Sequence, residues 1–226
     1  MKENQVYKNE ALTALKGKWP QAILAVLAYI GIAMVFMAPY EFKYMQLLDD
    51  PTNLALSASV SKWSLWYTLG LIFLLLPLTI GLVNSLKRLL TEGDDRVVRN
   101  MFNITFKSYW HNLWGVLLTK IFASLWALLL IVPGIIKGLS YAMTSYILVD
   151  YPELSANQAI NLSRKMMYGR KFDLFYLYLS FIGWLFLCFM TLGIGLIWFL
   201  PYAQTAEASF YEDVKTDYES KVGGIA

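Results

Sequence analysis

The stretch PQAILAVLAYIGIAMVFMAPY, Pro20 to Tyr40, runs 21 residues without a charge. A hydrocarbon layer about 30 Å thick needs about 20 apolar residues to be crossed as a helix, so a spanning helix is predicted over 20–40. Outward from it, Trp63 to Leu86 gives 24 more uncharged residues and a second span over 63–86. Polar and basic residues precede Pro20, and no small-residue cleavage site closes the run. It therefore reads as a retained span rather than a secretory signal.

Composition points the same way. Of the 226 residues 58% are hydrophobic and 15% charged, against about 45–50% and about 25% in soluble domains. A single Cys excludes an intrachain disulfide, and one His with one Cys leaves no ligand cluster for zinc, haem or iron-sulfur. No metal or cofactor is expected. The formal charge of +3 is too small to point to nucleic acid.

From Asn112 to Val149 the chain is apolar but interrupted by Lys120, Pro133-Gly134 and Lys137. One helix of that length would overshoot the membrane, so the run predicts a hairpin, 112–132 and 135–150, folded at Pro-Gly. Leu174 to Ala206 is uncharged for 33 residues, about 50 Å as one helix. Gly193-Ile194-Gly195 divides it into spans 174–192 and 195–210, taking Glu207 toward an interface. The expected architecture is all-α: one membrane domain, 1–226, a polytopic bundle of about six transmembrane helices including two broken hairpins. The acidic tail 211–226 is expected to be disordered at its end.

Basic residues stay on the cytoplasmic side of short loops. Six spans place fifteen of the nineteen Lys and Arg on one face, which predicts a cytoplasmic (inner) membrane protein with both termini inside. The one real loop on the far side is Glu41 to Lys62. Two amphipathic helices are expected at the cytoplasmic interface. The first, 95–111, carries Arg96, Arg99, Asn100, Asn103, Lys107 and His111 as a polar stripe; its apolar face lies in the interface or packs on the protein's own helices. The second, 155–168, opens on a Ser155 and Gln158 capping box and stops at Gly169. Near it Arg164, Lys165, Arg170 and Lys171 gather four cations, each worth about 1 kcal/mol beside anionic lipid. The positive-inside rule also accounts for them, as topology determinants, and is the stronger of the two readings.

Intramembrane ionisable groups are the default functional candidates. Lys120 and Lys137 qualify; each snorkels to a surface or faces a cavity and holds an anionic group, with Glu207 as a pairing candidate. Lys137, three residues past Pro-Gly, is expected near the outer surface or on the carbonyls of the preceding helix end. No catalytic set can be completed, since the single His lacks an acid partner and Cys188 reads as a core residue. Residues 130–142 laid over 191–203 pair Gly134 with Gly195 and Tyr141 with Tyr202, which raises a parallel repeat of the two hairpins, although apolar helices resemble each other by composition alone.

The run Ile131 to Tyr211, with IVPGIIKGLSY, SFIGW and GIGLIWFLPY, resembles an uncharacterised bacterial integral-membrane family, a domain of unknown function. The opening ALKGKW, Ala14 to Trp19, extends the resemblance, which implies a multi-pass bacterial membrane protein and supplies no reaction. The part around Ser163-Arg164 and Gly169 is also faintly similar to the membrane domain attached to some bacterial glycerophosphodiester phosphodiesterases. The expectation is a non-enzymatic binding or scaffold component handling lipid, an amphiphile or another membrane protein, or a homo-oligomer. The alternative is a small transporter subunit with its site at the helix breaks.

Overall fold

The computed structural model describes residues 3–223, and the regular structure among them is all helical, with no strand. α1 is Asn4–Leu15, α2 Trp19–Asp49, α3 Leu54–Gly70 and α4 Leu76–Thr91. A π-helical turn, Leu71–Leu75, joins α3 to α4 without a break. α5 is Val97–Lys107, α6 Tyr109–Leu129, α7 Ile131–Tyr141 and α8 Thr144–Asp150. α9 is Ala156–Met166, α10 Lys171–Leu179, α11 Ile182–Met190 and α12 Leu196–Gly223. Among the described residues four helical stretches are long and apolar enough to cross a membrane: 19–49, 54–91, 131–150 and 171–190. This is a membrane protein.

Several expected boundaries move. The loop expected over Glu41 to Lys62 shrinks to 50–53, because α2 runs through Pro39 to Asp49 and Asn53 caps α3 by accepting from the Ala55 and Leu56 amides. At 1.5 Å per residue the 31 residues of α2 reach about 46 Å, longer than a hydrocarbon layer. The helix expected over 95–111 ends at Lys107, and His111 belongs to α6. Its apolar face packs on α4 instead of lipid, burying Val97, Met101 and Ile104, and Asn100 of the expected polar stripe is buried with them. The acidic tail is no tail: α12 continues unbroken to Gly223. The extreme end, 224–226, lies outside the described residues.

Both predicted reversals occur. The first falls at Leu130, in extended backbone, with Pro133 in the first turn of α7, where its missing amide is harmless. The second uses Leu192 and Gly193 at φ 52° and 88°, a left-handed corner that glycine adopts at little cost. In each hairpin a glycine lets the two arms touch. A Cβ on Gly134 would sit 2.6 Å from the Ala127 Cα, and one on Gly195 3.0 Å from the Cys188 Cα. Both glycines follow their contact by seven residues, and the two pairs are offset by the same 61 positions.

The repetition extends beyond the two hairpins. Three units follow one another, each a short helix and then a helical hairpin: α1 with α2/α3–α4, α5 with α6/α7–α8, α9 with α10–α11/α12. Each short helix packs on the second arm of the preceding hairpin, α5 on α4, α9 on α8 and α1 on α12, so the chain closes into a ring. The first arms obey the same rule: α6 on α4, α10 on α7 and α2 on α12. Gly17 and Gly169, at φ 77° and 79°, make equivalent corners after α1 and α9.

Charged knots fasten the ring on the side of the chain ends. Asp150 of α8 accepts from Lys215 and Tyr211 of α12, each at 2.8 Å, and pairs closely with Lys87 of α4. The second arms of all three units thus meet on one carboxylate. Arg170 binds Asp173 at 2.9 Å, Asp213 at 2.6 Å and Asp217 at 3.5 Å, and the Tyr7 hydroxyl donates to Asp213 at 2.8 Å. This second knot ties α1 and α10 to α12. Burial, reinforced by the Asp213 carboxylate, pushes the Tyr7 hydroxyl well above its usual range.

Candidate functional site

α9 runs back along α8 until it meets α7, where the Ser163 hydroxyl donates to the Ser140 carbonyl at 2.8 Å. Ser155 and Gln158 form the predicted capping box that starts this helix. Gly169 then turns the chain so that α10 leaves against α7. Three helices converge on a cavity of about 710 Å3 lined by Lys137, Ser140, Asn161, Arg164, Lys165, Tyr168 and Lys171.

Four of those seven residues are cations, one from α7, two from α9 and one ahead of the α10 core. Among the described residues none of the four is in an ion pair. Lys137 sits 4.6 Å over the Trp126 ring, and Arg164 donates to the Asn161 side-chain carbonyl at 3.1 Å. Tyr168, which lines the cavity, is 85% exposed, and Phe172, next in sequence to Lys171, is 75% exposed. Four clustered cations beside an exposed ring can attract an anionic group.

Equivalent junctions of the other units show that the fold does not require this charge. Gly169 laid on Gly17 matches Arg164, Lys165 and Lys171 with Leu12, Thr13 and Trp19, and the 61-residue offset matches Lys137 with Trp198. Leu12, Trp19 and Trp198 line the corresponding recess, an aromatic cavity of about 300 Å3 that also includes Trp184, Phe199 and Tyr202. At the remaining junction the matched residues are Leu76, Asn103, Ile104 and Trp110. One framework position carries cations in one unit and none in the other two.

The residues singled out from sequence divide three ways. Lys137, Arg164, Lys165 and Lys171 are brought together. Lys137 lines the cavity, because the bend at Ala142–Met143 and the return of α9 bring the other cations to it. Arg170 does not join them; its side chain is 10% exposed and committed to the Asp213 knot. Lys120 and Glu207 form a separate constellation. The Tyr178 hydroxyl hydrogen-bonds Glu207, and Lys120, exposed on α6, acts on that carboxylate electrostatically. Trp126, Asn161 and Tyr168 were not anticipated, although the aromatic flanks of the basic cluster were visible. Among the described residues no group of His, Cys, Asp or Glu could hold a metal ion.

Residues 127–217 match a family described as a protein of unknown function, DUF975. The match covers less than half of the chain, includes every residue lining the basic recess and leaves out the ALKGKW opening. No curated protein and no solved structure matches the chain.

Proposed function

We propose that this chain is a lipid-binding component of a bacterial cytoplasmic membrane, non-enzymatic, with about six spans and both termini inside, whose basic recess holds the headgroup of an anionic lipid. The observation that carries the reading is the contrast among equivalent junctions: four cations at one, none of them in an ion pair among the described residues, and no cation at the matched positions of the other two. Topology alone asks for positive charge on a face, not for its concentration at one of three matched junctions. Buried or clustered cations without counter-charges favour an external anion. The exposed Tyr168 ring lining the recess supports an amphiphilic ligand, since aromatic rings favour the headgroup level of a bilayer.

The test is purification in mild detergent followed by native mass spectrometry with phosphatidylglycerol and, separately, phosphatidylcholine. The intact protein retains the anionic lipid preferentially, and the triple variant Arg164→Gln, Lys165→Gln, Lys171→Gln loses that preference while remaining monodisperse. Equal retention of both lipids by both proteins contradicts the proposal. Reporter fusions at either terminus, active only in the cytoplasm, test the topology.

A further inference from the structure

We infer that the recess selects a lipid carrying two phosphate groups over one carrying a single phosphodiester. The inference rests on the lipid-binding reading above and deepens it. Its basis is how the charge is distributed. Lys137 comes from α7, Arg164 and Lys165 from α9, and Lys171 from the start of α10, so three separate helices supply the cations that line the cavity.

Among the described residues no carboxylate lines the recess, and nothing inside the protein neutralises the four. A single phosphodiester held by Arg164 and Lys165 of α9 leaves the charge of Lys137, on a separate helix, unneutralised. Lys137 is also held in place by the Trp126 ring at 4.6 Å. A cation over an aromatic face keeps its charge and its capacity to donate, so its position is preset for a second anionic group. A cavity of about 710 Å3 has room for both. Two lipid classes present that chemistry: bisphosphate glycerolipids, with two phosphodiesters joined through a glycerol, and isoprenoid diphosphates, with two phosphates in series.

Affinities of the detergent-purified full chain are measured by competition for four probes: tetraoleoyl cardiolipin, farnesyl diphosphate, dioleoyl phosphatidylglycerol and inorganic diphosphate. At least one of the two-phosphate lipids binds about fivefold or more tighter than phosphatidylglycerol, the step expected for one further basic contact. Which of them does so identifies the class. Lys137→Gln removes that advantage and leaves phosphatidylglycerol affinity within about twofold, whereas Arg164→Gln weakens every phosphate lipid. Lys137→Arg keeps the advantage and controls for folding. Equal affinity for one-phosphate and two-phosphate lipids overturns the selectivity while the lipid-binding reading stands. Failure of all three lipids to bind overturns both. Inorganic diphosphate binding as tightly as the lipids also overturns the inference, since the hydrocarbon chain would then have no part in it.

Discussion

Replacing Arg170 with Met tests whether this cation holds the fold together or touches lipid. In the native protein its guanidinium serves Asp173 and Asp213 at 2.9 and 2.6 Å and Asp217 at 3.5 Å, with its own side chain 10% exposed. Methionine keeps much of the aliphatic volume and removes the charge, so three carboxylates are left facing one another beside the Tyr7 hydroxyl. Removing one member of a buried ion pair costs about 3–5 kcal/mol. Asp213 and Asp173 are 18% and 21% exposed, and Asp217 37%, so water compensates part of the loss and the figure falls near the lower bound, about 3 kcal/mol. Unfolding in detergent micelles, followed by circular dichroism against denaturant, reads that difference. Combining Arg170→Met with Asp213→Asn should recover part of it, because the second change removes one of the negative charges that Arg170 offset. Lys221→Met, at the 70% exposed end of the same network, should change nothing measurable. A loss below about 1 kcal/mol for Arg170→Met, or unchanged stability with impaired lipid retention, would refute the assignment and return Arg170 to the lipid-facing set.

Three further outcomes follow from the same geometry. Gly134→Leu and Gly195→Leu force their hairpin arms apart at Ala127 and Cys188 and should each destabilise by about 1–3 kcal/mol or more, read by the same unfolding assay. Gly169→Ala meets no atom but must hold φ 79°, so its cost should be about 1–2 kcal/mol, from backbone strain alone. Tyr7 has its hydroxyl shifted upward by folding, so its contribution is complete below its unfolded value near 10 and is lost as pH rises through the higher folded value. Stability should therefore decline above about pH 10 in the native protein and decline less in Tyr7→Phe.

The turning points of the chain were legible because Gly and Pro mark them: Pro133-Gly134, Gly193 and Gly169 all lie at reversals. The capping box of α9 was equally plain. The break at Ser108 carried no such signal, and α5 and α6 were merged in part. α2 outran its predicted end because Glu41 and Lys43 read as a membrane boundary, whereas charge stops a span and does not stop a helix. The α12 extension was hidden for a similar reason: its acidic residues looked solvated, yet Asp213 and Asp217 are held by Arg170. The recess itself was half legible. Arg164, Lys165 and Lys171 cluster in sequence, but Lys137 lies 27 residues before Arg164. Only the course of α9 along α8 to the Ser140 carbonyl brings them together. The ring of three units was beyond a reading of one sequence, because its first member diverges from the others and its evidence is packing.

The most direct test of the account is a structure of the protein reconstituted in nanodiscs containing cardiolipin. Phosphate density bound by Arg164, Lys165 and Lys171, with none in the aromatic recess of Leu12, Trp19 and Trp198, is the predicted result. A vacant basic recess beside well-ordered lipid elsewhere on the same particles would contradict it.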